Sequence, residues 1–372
     1  MNKLFYPHIL LVLLAALFLS APVFAEKVEN LYSANVIVSD EGDTERQRGL
    51  KNALAQVLIK VSGSRSILVE PAAKQAVKNP LRYLSQFSYV NDNDGTQHLN
   101  VEFDEEAVRN LLLNNSLPLW QGDRPQVLLW LAIEKTSRRQ LIGTNSHPDT
   151  QKLIQAAMQR RGLPYLLPLL DLTDRSLVSV AEVWGGFRDV IRQASIRYST
   201  EATVIGRLFQ VAGGWRSHWS LINEDGSTDV WDVDGNDEAT VMAAAIDGLA
   251  DRLGRVYATR IDNTRSAVVT LSINNISGVE DYAKALAYIE SLNFVDRVSV
   301  HEIRGANASF IVNYKGHLDD VRANIDRGRV LRSNTSSQFY FNYDTLSYSL
   351  EPVNTNLKPA LRPKKGQARR EE

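Results

Sequence analysis

The residues best suited to acid–base or metal chemistry in this sequence are its histidines. Five of them follow the N-terminal apolar segment and are scattered along the chain: His98, His147, His218, His301 and His317. None belongs to an H-E-x-x-H zinc motif, and neither a G-x-S-x-G elbow nor a complete S-x-x-K motif set is present. We therefore expect the histidines to be surface or strand-face residues, and we predict no catalytic residues and no enzymatic activity.

Acidic clusters and thiols likewise give no site. The segment VNDNDGTQHLNVE is similar to an EF-hand loop around Gly95, but its two anchoring positions are Val90 and Val101, which lack the required carboxylates. The segment DVDGNDE has its glycine at the wrong place, so we interpret both segments as turns. The chain has no cysteine, which excludes disulfides, thiol catalysis and thiolate metal sites. We predict no metal site and no cofactor.

Two glycine pairs raise the question of phosphate binding. Gly213 and Gly214 lie in VAGGW between two predicted strands, without the helix and lysine of a P-loop. Gly185 and Gly186 lie in WGGF before a predicted helix, where backbone amides can hold an anion. Because no other part of a nucleotide fingerprint is present, we interpret the second pair as a loop, with anion binding as the alternative.

Three tryptophans are the candidates for a partner surface. Trp215 and Trp219 are four residues apart on a predicted strand and therefore share one face, and Trp231 lies on the neighbouring strand. The other face of the first strand carries polar residues: Arg216, His218 and Ser220. Tryptophan is enriched at the centres of interfaces, so this face is predicted to dock a partner. The alternative is that the indoles pack beneath a helix of their own domain.

The elements that position these residues fall into three blocks and predict a multidomain α+β fold. The first domain, 26–118, has a strand at 31–38, an amphipathic helix ending at Gly63, two strands joined through Asp94 and Gly95, and a helix capped by Asp104. Its order β-α-β-β-α predicts a small sheet with helices on one side.

The second and third domains are predicted at 124–262 and 265–351. The second opens with the continuous apolar strand QVLLWLAIE, continues through helices and an antiparallel meander, and closes with a long helix, which indicates an α/β sandwich on a mixed sheet. The third has the order β-α-β-β-α-β, which is typical of a ferredoxin-like domain. A final strand or hairpin is predicted in QFYFNYDTLSYSL.

The N-terminus is predicted to be a cleaved signal peptide, 1–25. Lys3 precedes the apolar run 9–19, and VFA places small or compact residues before a cleavage site between Ala25 and Glu26. The alternative is an uncleaved membrane anchor, but two prolines, a histidine and a serine interrupt that window. Without cysteine, a lipid anchor is excluded. We therefore expect an exported, soluble periplasmic protein.

The charge distribution separates the body of the chain from its end. The whole chain has a formal net charge of −1, but basic residues outnumber acidic ones in the segment 352–372, so the remainder is acidic. An acidic body argues against nucleic acid as a partner. The proline-containing basic segment is predicted to be a disordered tail, and it could contact anionic membrane lipid or another polyanion.

Several stretches carry a resemblance to a known family. They are the signal peptide, RQRGLKNALAQVLIKVSGS, VEFDEEAVRNLLLNNSLPLW and RPQVLLWLAIE. Together they resemble a family of exported gammaproteobacterial proteins classed as a domain of unknown function. The architecture is distantly similar to flagellar ring protein T, curli-type secretion lipoproteins and the N-terminal domain of TolB, although the chain lacks a lipid-anchor cysteine. The resemblance brings no catalytic residues and implies a role in envelope assembly.

The function predicted from the sequence is that of a non-enzymatic periplasmic binding or scaffold protein in cell-envelope assembly, with an envelope protein as its partner. One alternative is a ligand-binding protein or enzyme with a cleft between the first two domains, near Trp120, Arg124 and Trp130. Another is a glycan or membrane-surface binder that acts through the basic tail.

Overall fold

The computed structural model describes residues 30–351, except for 93–94, 121–123, 224–225, 261–264, 293, 328–329 and 335–344. The predicted signal peptide with its Ala25–Glu26 cleavage site and the predicted tail 352–372 lie outside the described residues. The chain divides into two compact units after Arg260. Helices and three separate sheets make up these units, which confirms the multidomain α+β architecture. Each of the three predicted domain ranges contains one sheet, but the first two ranges together form the first unit.

The N-terminal part of the first unit is a three-stranded antiparallel sheet in the order β1-β3-β2. Its elements are β1 (Ser33–Ile37), α1 (Asp43–Ser62), α2 (Pro71–Lys78), β2 (Leu84–Asn91), β3 (Gln97–Phe103) and α3 (Glu105–Asn114). The predicted long helix is confirmed as α1, whose buried stripe includes Leu50, Leu54 and Leu58. It ends at Gly63, which adopts the left-handed conformation with φ of 73°. Helix α2 was not predicted.

The remainder of the first unit is a mixed sheet in the order β5-β4-β7-β8-β9, with β6 paired to β4. Its elements are β4 (Val127–Lys135), β5 (Arg138–Ile142), α4 (Pro148–Arg161), β6 (Tyr165–Leu166), α5 (Leu172–Leu177), α6 (Val180–Gly185), α7 (Arg188–Ser195), β7 (Ala202–Val211), β8 (Gly214–Ile222), β9 (Thr228–Gly235) and α8 (Glu238–Tyr257). Strand β4 is parallel to β6 and β7, and the meander β7-β8-β9 is antiparallel.

Helices lie on both faces of this sheet, but they cover the two faces unequally. On one face, α4 and α8 pack on a large apolar core to which β4, β7, β8 and β9 all contribute. On the other face, α6 packs on β4, β5 and β7, and its core is smaller. The short helices α5, α6 and α7 therefore leave part of β8 and β9 uncovered on this second face, which we call the open face.

The second unit is a five-stranded sheet in the order β11-β12-β10-β14-β13. Its elements are β10 (Ser266–Asn274), α9 (Val279–Ser291), β11 (Val295–Arg304), β12 (Asn307–Lys315), α10 (Leu318–Arg327), β13 (Leu331–Ser333) and β14 (Thr345–Leu350). The order up to α10 is the predicted ferredoxin-like one. The last strand departs from that order, because β14 lies between β10 and β13. It runs parallel to β10 and antiparallel to β13. Within the described residues, no helix is long and apolar enough to cross a membrane.

Candidate functional site

The three tryptophans that the sequence offers as a partner surface face the large core. Trp219 is 0 % exposed and stacks on Trp231, with their ring centroids 6.2 Å apart. Trp231 donates its Nε1–H to the backbone oxygen of Ala245 in α8 at 3.2 Å, and Trp215 is only partly buried against the same core. Trp219 fits because its partner across the sheet is Gly206, where a Cβ atom would lie 2.6 Å from the indole. The prediction that this face docks a partner is therefore wrong, because α8 covers the face.

The residues predicted to line a cleft between the first two domains are also buried. Trp120 stacks on Tyr257 at 6.1 Å, and the guanidinium of Arg124 lies 4.2 Å from the centre of the Trp120 ring. Trp130 lies on the other face of the sheet, where its Nε1–H donates to Ser195 Oγ at 3.0 Å. These three residues form no common cleft; Trp120 and Arg124 instead close the joint between the two sheets.

We call this joint the seam; it consists of the C-terminal ends of α1 and α4 with Arg124 and Arg161 between them. The carbonyl groups of the last helical turn have no intrahelical partner, so two helix ends that meet need donors. Arg124 donates to the backbone oxygens of Lys60 at 2.6 Å, Arg161 at 2.8 Å, Gly162 at 3.2 Å and Trp120 at 3.0 Å. A buried cation thus satisfies the ends of both helices.

Acidic residues of α8 complete the seam. Arg161 donates to the carboxylates of Asp247 at 3.1 Å and Asp251 at 2.8 Å, and to the backbone oxygen of Gly63 at 3.2 Å. Burial alone would raise the pKa of Asp251, but the hydrogen bonds and charges of Arg161 and Arg65 lower it below its usual value. The seam is therefore a buried structural network rather than an open binding site.

Lys60 closes the other side of the same network. Its Nζ donates to the backbone oxygens of Ser33 at 2.7 Å and Asn30 at 3.2 Å. Burial, together with the nearby charge of Arg124, lowers the pKa of Lys60 to about 8. Burial and the charge of Arg161 lower the pKa of Arg124 in the same way, to about 9.

A cleft of about 240 Å³ lies on the open face of the central sheet, and we call it the sheet cleft. Its walls are the end of α6, the start of α7 and the uncovered parts of β7, β8 and β9. The residues that line it are Val183, Trp184, Gly185, Gly186, Arg188, Ile205, Arg207, His218, Ser220, Thr228 and Val230. The glycine pair of WGGF is thus part of a cleft, as its anion-binding alternative requires.

Strand register places three charged or titratable residues in one row, of which the first two line the cleft. Arg207 on β7 is directly opposite His218 on β8, and His218 is opposite Asp232 on β9. The next row consists of Ile205, Ser220 and Val230. Directly opposite residues have Cβ atoms about 5 Å apart, so these side chains can act on one ligand.

Arg207, which lines the cleft, has one buried nitrogen without a hydrogen-bond partner among the described residues. Its Nη1 donates to the backbone oxygen of Trp184 at 3.0 Å, while its Nε is buried and has no hydrogen-bond partner among the described residues. Arg124, Arg161 and Arg252 also have a buried Nε without a partner among the described residues; the guanidinium groups of Arg124 and Arg252 stack on indole rings at 4.2 and 4.3 Å, and that of Arg161 lies in the seam. Buried donors are rarely left unsatisfied, so an acceptor is expected beside Arg207.

The other polar groups of the cleft are oriented by neighbours. The Nδ1 of His218 and the Oδ1 of Asp232 are 2.7 Å apart, a contact that fixes the imidazole ring and leaves Nε2 as its other ring nitrogen. Arg188 donates from Nη1 to Thr228 Oγ1 at 2.8 Å. Ser220 shares the cleft, but the contacts of the described residues include no hydrogen bond from its hydroxyl to His218. The arrangement suits binding of an anion and lacks an activated nucleophile.

Other places in the chain give weaker candidates. A groove of about 410 Å³ runs between β1 and α1, but none of its lining residues is charged. His98 lies within hydrogen-bonding distance of Asn35 Oδ1 and Asp92 Oδ2, at 2.6 and 2.9 Å, on the outer face of the first sheet. No group of three or more His, Asp or Glu residues that could hold a metal ion occurs among the residues that the structure describes.

Sequence reasoning considered three parts of the sheet cleft separately and missed the others. It placed His218 and Ser220 on the strand face opposite the tryptophans, which the register confirms, and it noted the glycine pair. It did not single out Arg207 or Asp232, because neither belongs to a motif. The signal that could have found them is the alternation of polar residues along β7, β8 and β9, once the register of the meander is known.

Comparisons with known proteins give a family match for one part of the chain. Residues 25–121 match a family model described as a domain of unknown function, DUF8605. The coarser resemblance drawn from the sequence, to a domain of unknown function, is therefore confirmed over these residues. A search of curated proteins gives no match.

The solved structure of TolB from Acinetobacter baumannii is weakly similar to this chain. The sequence identity is 12 %, the TM-score is 0.21, and the aligned region covers 42 % of this chain and 34 % of that one. This chain thus spans about a third of the length of that protein, and the score is too low to indicate a shared fold. The likeness to exported gammaproteobacterial proteins, flagellar ring protein T and curli-type lipoproteins stays a prediction.

Proposed function

We propose that this protein is an exported, non-enzymatic binding protein whose sheet cleft holds an anionic group of its ligand. The observation that carries the proposal is the convergence of Arg207, Arg188 and His218 on one small cleft. Two guanidinium groups create a positive local field, and His218, Ser220 and Thr228 add neutral polar groups that can donate to an anion. The rest of the body is acidic, so the cleft is a local exception in charge.

Binding is favoured over catalysis by the way the polar groups are used. The Nδ1 of His218 is held by Asp232, and the hydroxyl of Thr228 is held by Arg188. A nucleophilic mechanism needs a hydroxyl or thiol within hydrogen-bond reach of its base. Among the described contacts, Ser220 makes no such bond with His218. The groups in the cleft are instead positioned as donors.

The second part of the proposal is a role in cell-envelope assembly. It rests on the predicted signal peptide and on exposed apolar residues of the segment that covers the open face, 172–196, which we call the cover. Leu172 is 89 % exposed, Ile196 is 65 % exposed and Phe187 is 56 % exposed. Exposed apolar side chains favour contact with a protein partner where they form a patch. We propose that an envelope protein docks on this cover, beside the sheet cleft. Contact of the tail 352–372 with membrane lipid stays a prediction.

Calorimetric titration of the purified protein with sodium phosphate and with short carboxylic acids, at low ionic strength, tests the anion site. We expect saturable binding by wild type, loss of binding in Arg207→Gln, and unchanged binding in Arg82→Gln. Arg82 is an exposed arginine outside the cleft, so the control removes the same charge elsewhere. Absence of saturable binding for every anion would contradict the proposed function.

In-cell crosslinking tests the proposed docking surface. We expect Leu172→Asp combined with Ile196→Asp to abolish a crosslinked envelope partner without changing the unfolding curve, because both side chains are already exposed. Val279→Asp is a matched control, since Val279 is also highly exposed but lies in the second unit. A partner that is retained by the double variant would contradict docking on this cover.

A further inference from the structure

We propose that the free edge of β1 is a second binding site, which takes an extended strand of a partner protein. The site is the groove of about 410 Å³ between β1 and α1, which we call the edge groove. It belongs to a different sheet from the sheet cleft and shares no lining residue with it, so this inference is independent of the proposed anion site.

The backbone of β1 presents unpaired groups along this edge. Among the described strands, β3 alone pairs with β1, in an unbroken antiparallel register. At one end of the ladder, Val38 donates its N–H to the backbone oxygen of Gln97 at 3.0 Å. Hydrogen-bonded and non-hydrogen-bonded pairs alternate along an antiparallel ladder, so the even-numbered residues of β1 bond to β3. The N–H and C=O groups of Asn35 and Ile37 therefore point away from β3, towards the edge groove.

Helix α1 satisfies the same edge on both sides of this stretch. The Nζ of Lys60 donates to the backbone oxygen of Ser33 at 2.7 Å, and the backbone N–H of Ser39 donates to Glu45 Oε1 at 2.9 Å. The helix covers about 22 Å between its two residues and the strand about 20 Å between its own, so α1 runs alongside the edge. No hydrogen bond among the described residues reaches the main-chain groups that face the groove between these two points. Unpaired main-chain groups on a strand edge are a template for another strand.

The lining of the edge groove indicates which side chains the bound strand carries. The groove is lined by the free stretch of β1 and by uncharged residues on one face of α1: Asn35, Val36, Ile37, Asn52, Ala55 and Gln56. In antiparallel addition, which continues the pattern of this sheet, the middle residue of the bound strand lies opposite Val36 and shares its face. Val36 belongs to the core beneath α1, so that side chain points towards α1 and meets the small side chain of Ala55. We expect an aliphatic residue there, and neutral residues on either side.

The chemistry of the edge groove favours a strand from another protein over the other segments that could fill it. The segment 352–372 of this chain is basic and contains prolines, which lack the N–H that an added strand must donate. The groove offers that charge no carboxylate among its lining residues. A second copy is disfavoured by area, because a contact confined to this short edge buries far less than the roughly 1,600 Å² of a standard interface.

The probe is a fluorescein-labelled peptide, Gly-Thr-Thr-Val-Thr-Thr-Gly with a C-terminal amide, whose binding to the purified full chain is followed by fluorescence anisotropy. Its valine is the middle residue, and the two threonines beside it are expected to exchange hydrogen bonds with Asn35 and Ile37. One control peptide is N-methylated at both of these threonines, which removes the donors. A second is N-methylated at the valine, whose N–H points away from β1 in antiparallel addition.

Two protein variants change the site, and each has a matched control. Ile37→Pro removes an N–H that faces the groove but no bond to β3, and proline is tolerated at such positions of edge strands. Asn91→Pro is its control, because Asn91 ends β2 at the opposite edge of the same sheet and its N–H also points outward. Ala55→Phe fills the groove, and its control is Gln47→Phe, at an exposed position of α1 outside the groove. All four variants are checked for an unchanged unfolding curve.

We expect wild type and both control variants to bind the parent peptide saturably. Ile37→Pro should weaken binding at least about fivefold because one donor is lost. Ala55→Phe should weaken it at least about tenfold because the ring occupies the groove. Methylation of the two threonines should abolish binding, whereas methylation of the valine should preserve it.

The inference is overturned if the parent peptide shows no saturable binding up to about 1 mM, if Ile37→Pro binds it as tightly as Asn91→Pro does, or if the two methylated peptides bind equally. A wild-type dimer that Ile37→Pro dissociates would give the edge to a second copy, and tighter peptide binding after removal of 352–372 would give it to this chain's own end. Either result would also overturn the inference. Anion binding in the sheet cleft is measured separately, so the two proposals fail independently.

Discussion

Replacement of Arg124 by methionine is the most direct test of the seam between the two sheets of the first unit. Methionine preserves the apolar stem over the Trp120 ring but removes every donor. The backbone oxygens of Lys60, Arg161, Gly162 and Trp120 then lose a partner inside a buried region. The ends of α1 and α4 would face each other without a cation between them.

The expected loss of unfolding free energy in Arg124→Met follows from opposing contributions. A hydrogen bond from a charged donor is worth roughly 1.5–3 kcal/mol, and a buried cation on an aromatic ring adds about 2 kcal/mol. Burial of the cation opposes this gain, since it also lowers the pKa of Arg124. Removal of Arg124 relieves its repulsion from Arg161, but it leaves buried carbonyl oxygens without this donor, and each buried polar group left unsatisfied costs about 1–3 kcal/mol. We expect Arg124→Met to lower the unfolding free energy of the first unit by about 4 kcal/mol, and Arg124→Lys by about half as much.

Tryptophan fluorescence during urea unfolding reports the first unit alone, because all six tryptophans lie before Arg260. Wild type, Arg124→Met, Arg124→Lys and the exposed-site control Arg82→Met are compared at pH 7. The control is expected to change the unfolding free energy by less than about 0.5 kcal/mol. If the unfolding free energy of Arg124→Met remains within about 1 kcal/mol of the wild-type value, the carbonyl groups find other donors and the seam does not depend on this cation.

Three further predictions concern the same unit. Lys60 loses its proton at lower pH in the folded chain than in the unfolded chain, so the unfolded chain binds more protons between about pH 8 and 10.5. The unfolding free energy of wild type relative to that of Lys60→Met should therefore rise with pH across this window, by up to roughly 3 kcal/mol, as measured by urea unfolding. Gly254→Ala places a Cβ atom 2.3 Å from the backbone oxygen of Gly63, and thermal unfolding should reveal a loss of about 2 kcal/mol. Trp219→Ala should destabilise the unit by about 3–5 kcal/mol because it opens a cavity in the core; a variant with wild-type stability would restore the surface interpretation.

Local patterns in the sequence were enough to predict the elements with strong periodicity. The spacing of Leu50, Leu54 and Leu58 predicts α1, and Gly63 marks its end, because helix period and left-handed termination are local properties. The short helices α2, α5 and α6 were missed, since six to eight residues hold too few repeats of the helical period to stand out. The alternation along β8 correctly separated its two faces.

The sequence alone could not predict which helix packs on each face of the central sheet, or the register between its strands. Trp219 was assigned to the right face, but the helix that buries it, α8, begins at Glu238 and packs back only in three dimensions. The row Arg207, His218 and Asp232 depends on pairing between three strands, which no local pattern encodes. The seam was missed for the same reason, because its donors and acceptors come from distant parts of the chain.

The position of β14 constrains when the second unit can fold. This strand comes last among the described elements, yet it lies inside the sheet and contributes the buried residues Leu346, Tyr348 and Leu350. Until it arrives, β10 has an unpaired edge and the core of the unit remains open. A chain that emerges N-terminus first, from a ribosome or through a membrane pore, can therefore complete its first unit early but cannot complete the second until Leu350 has been released.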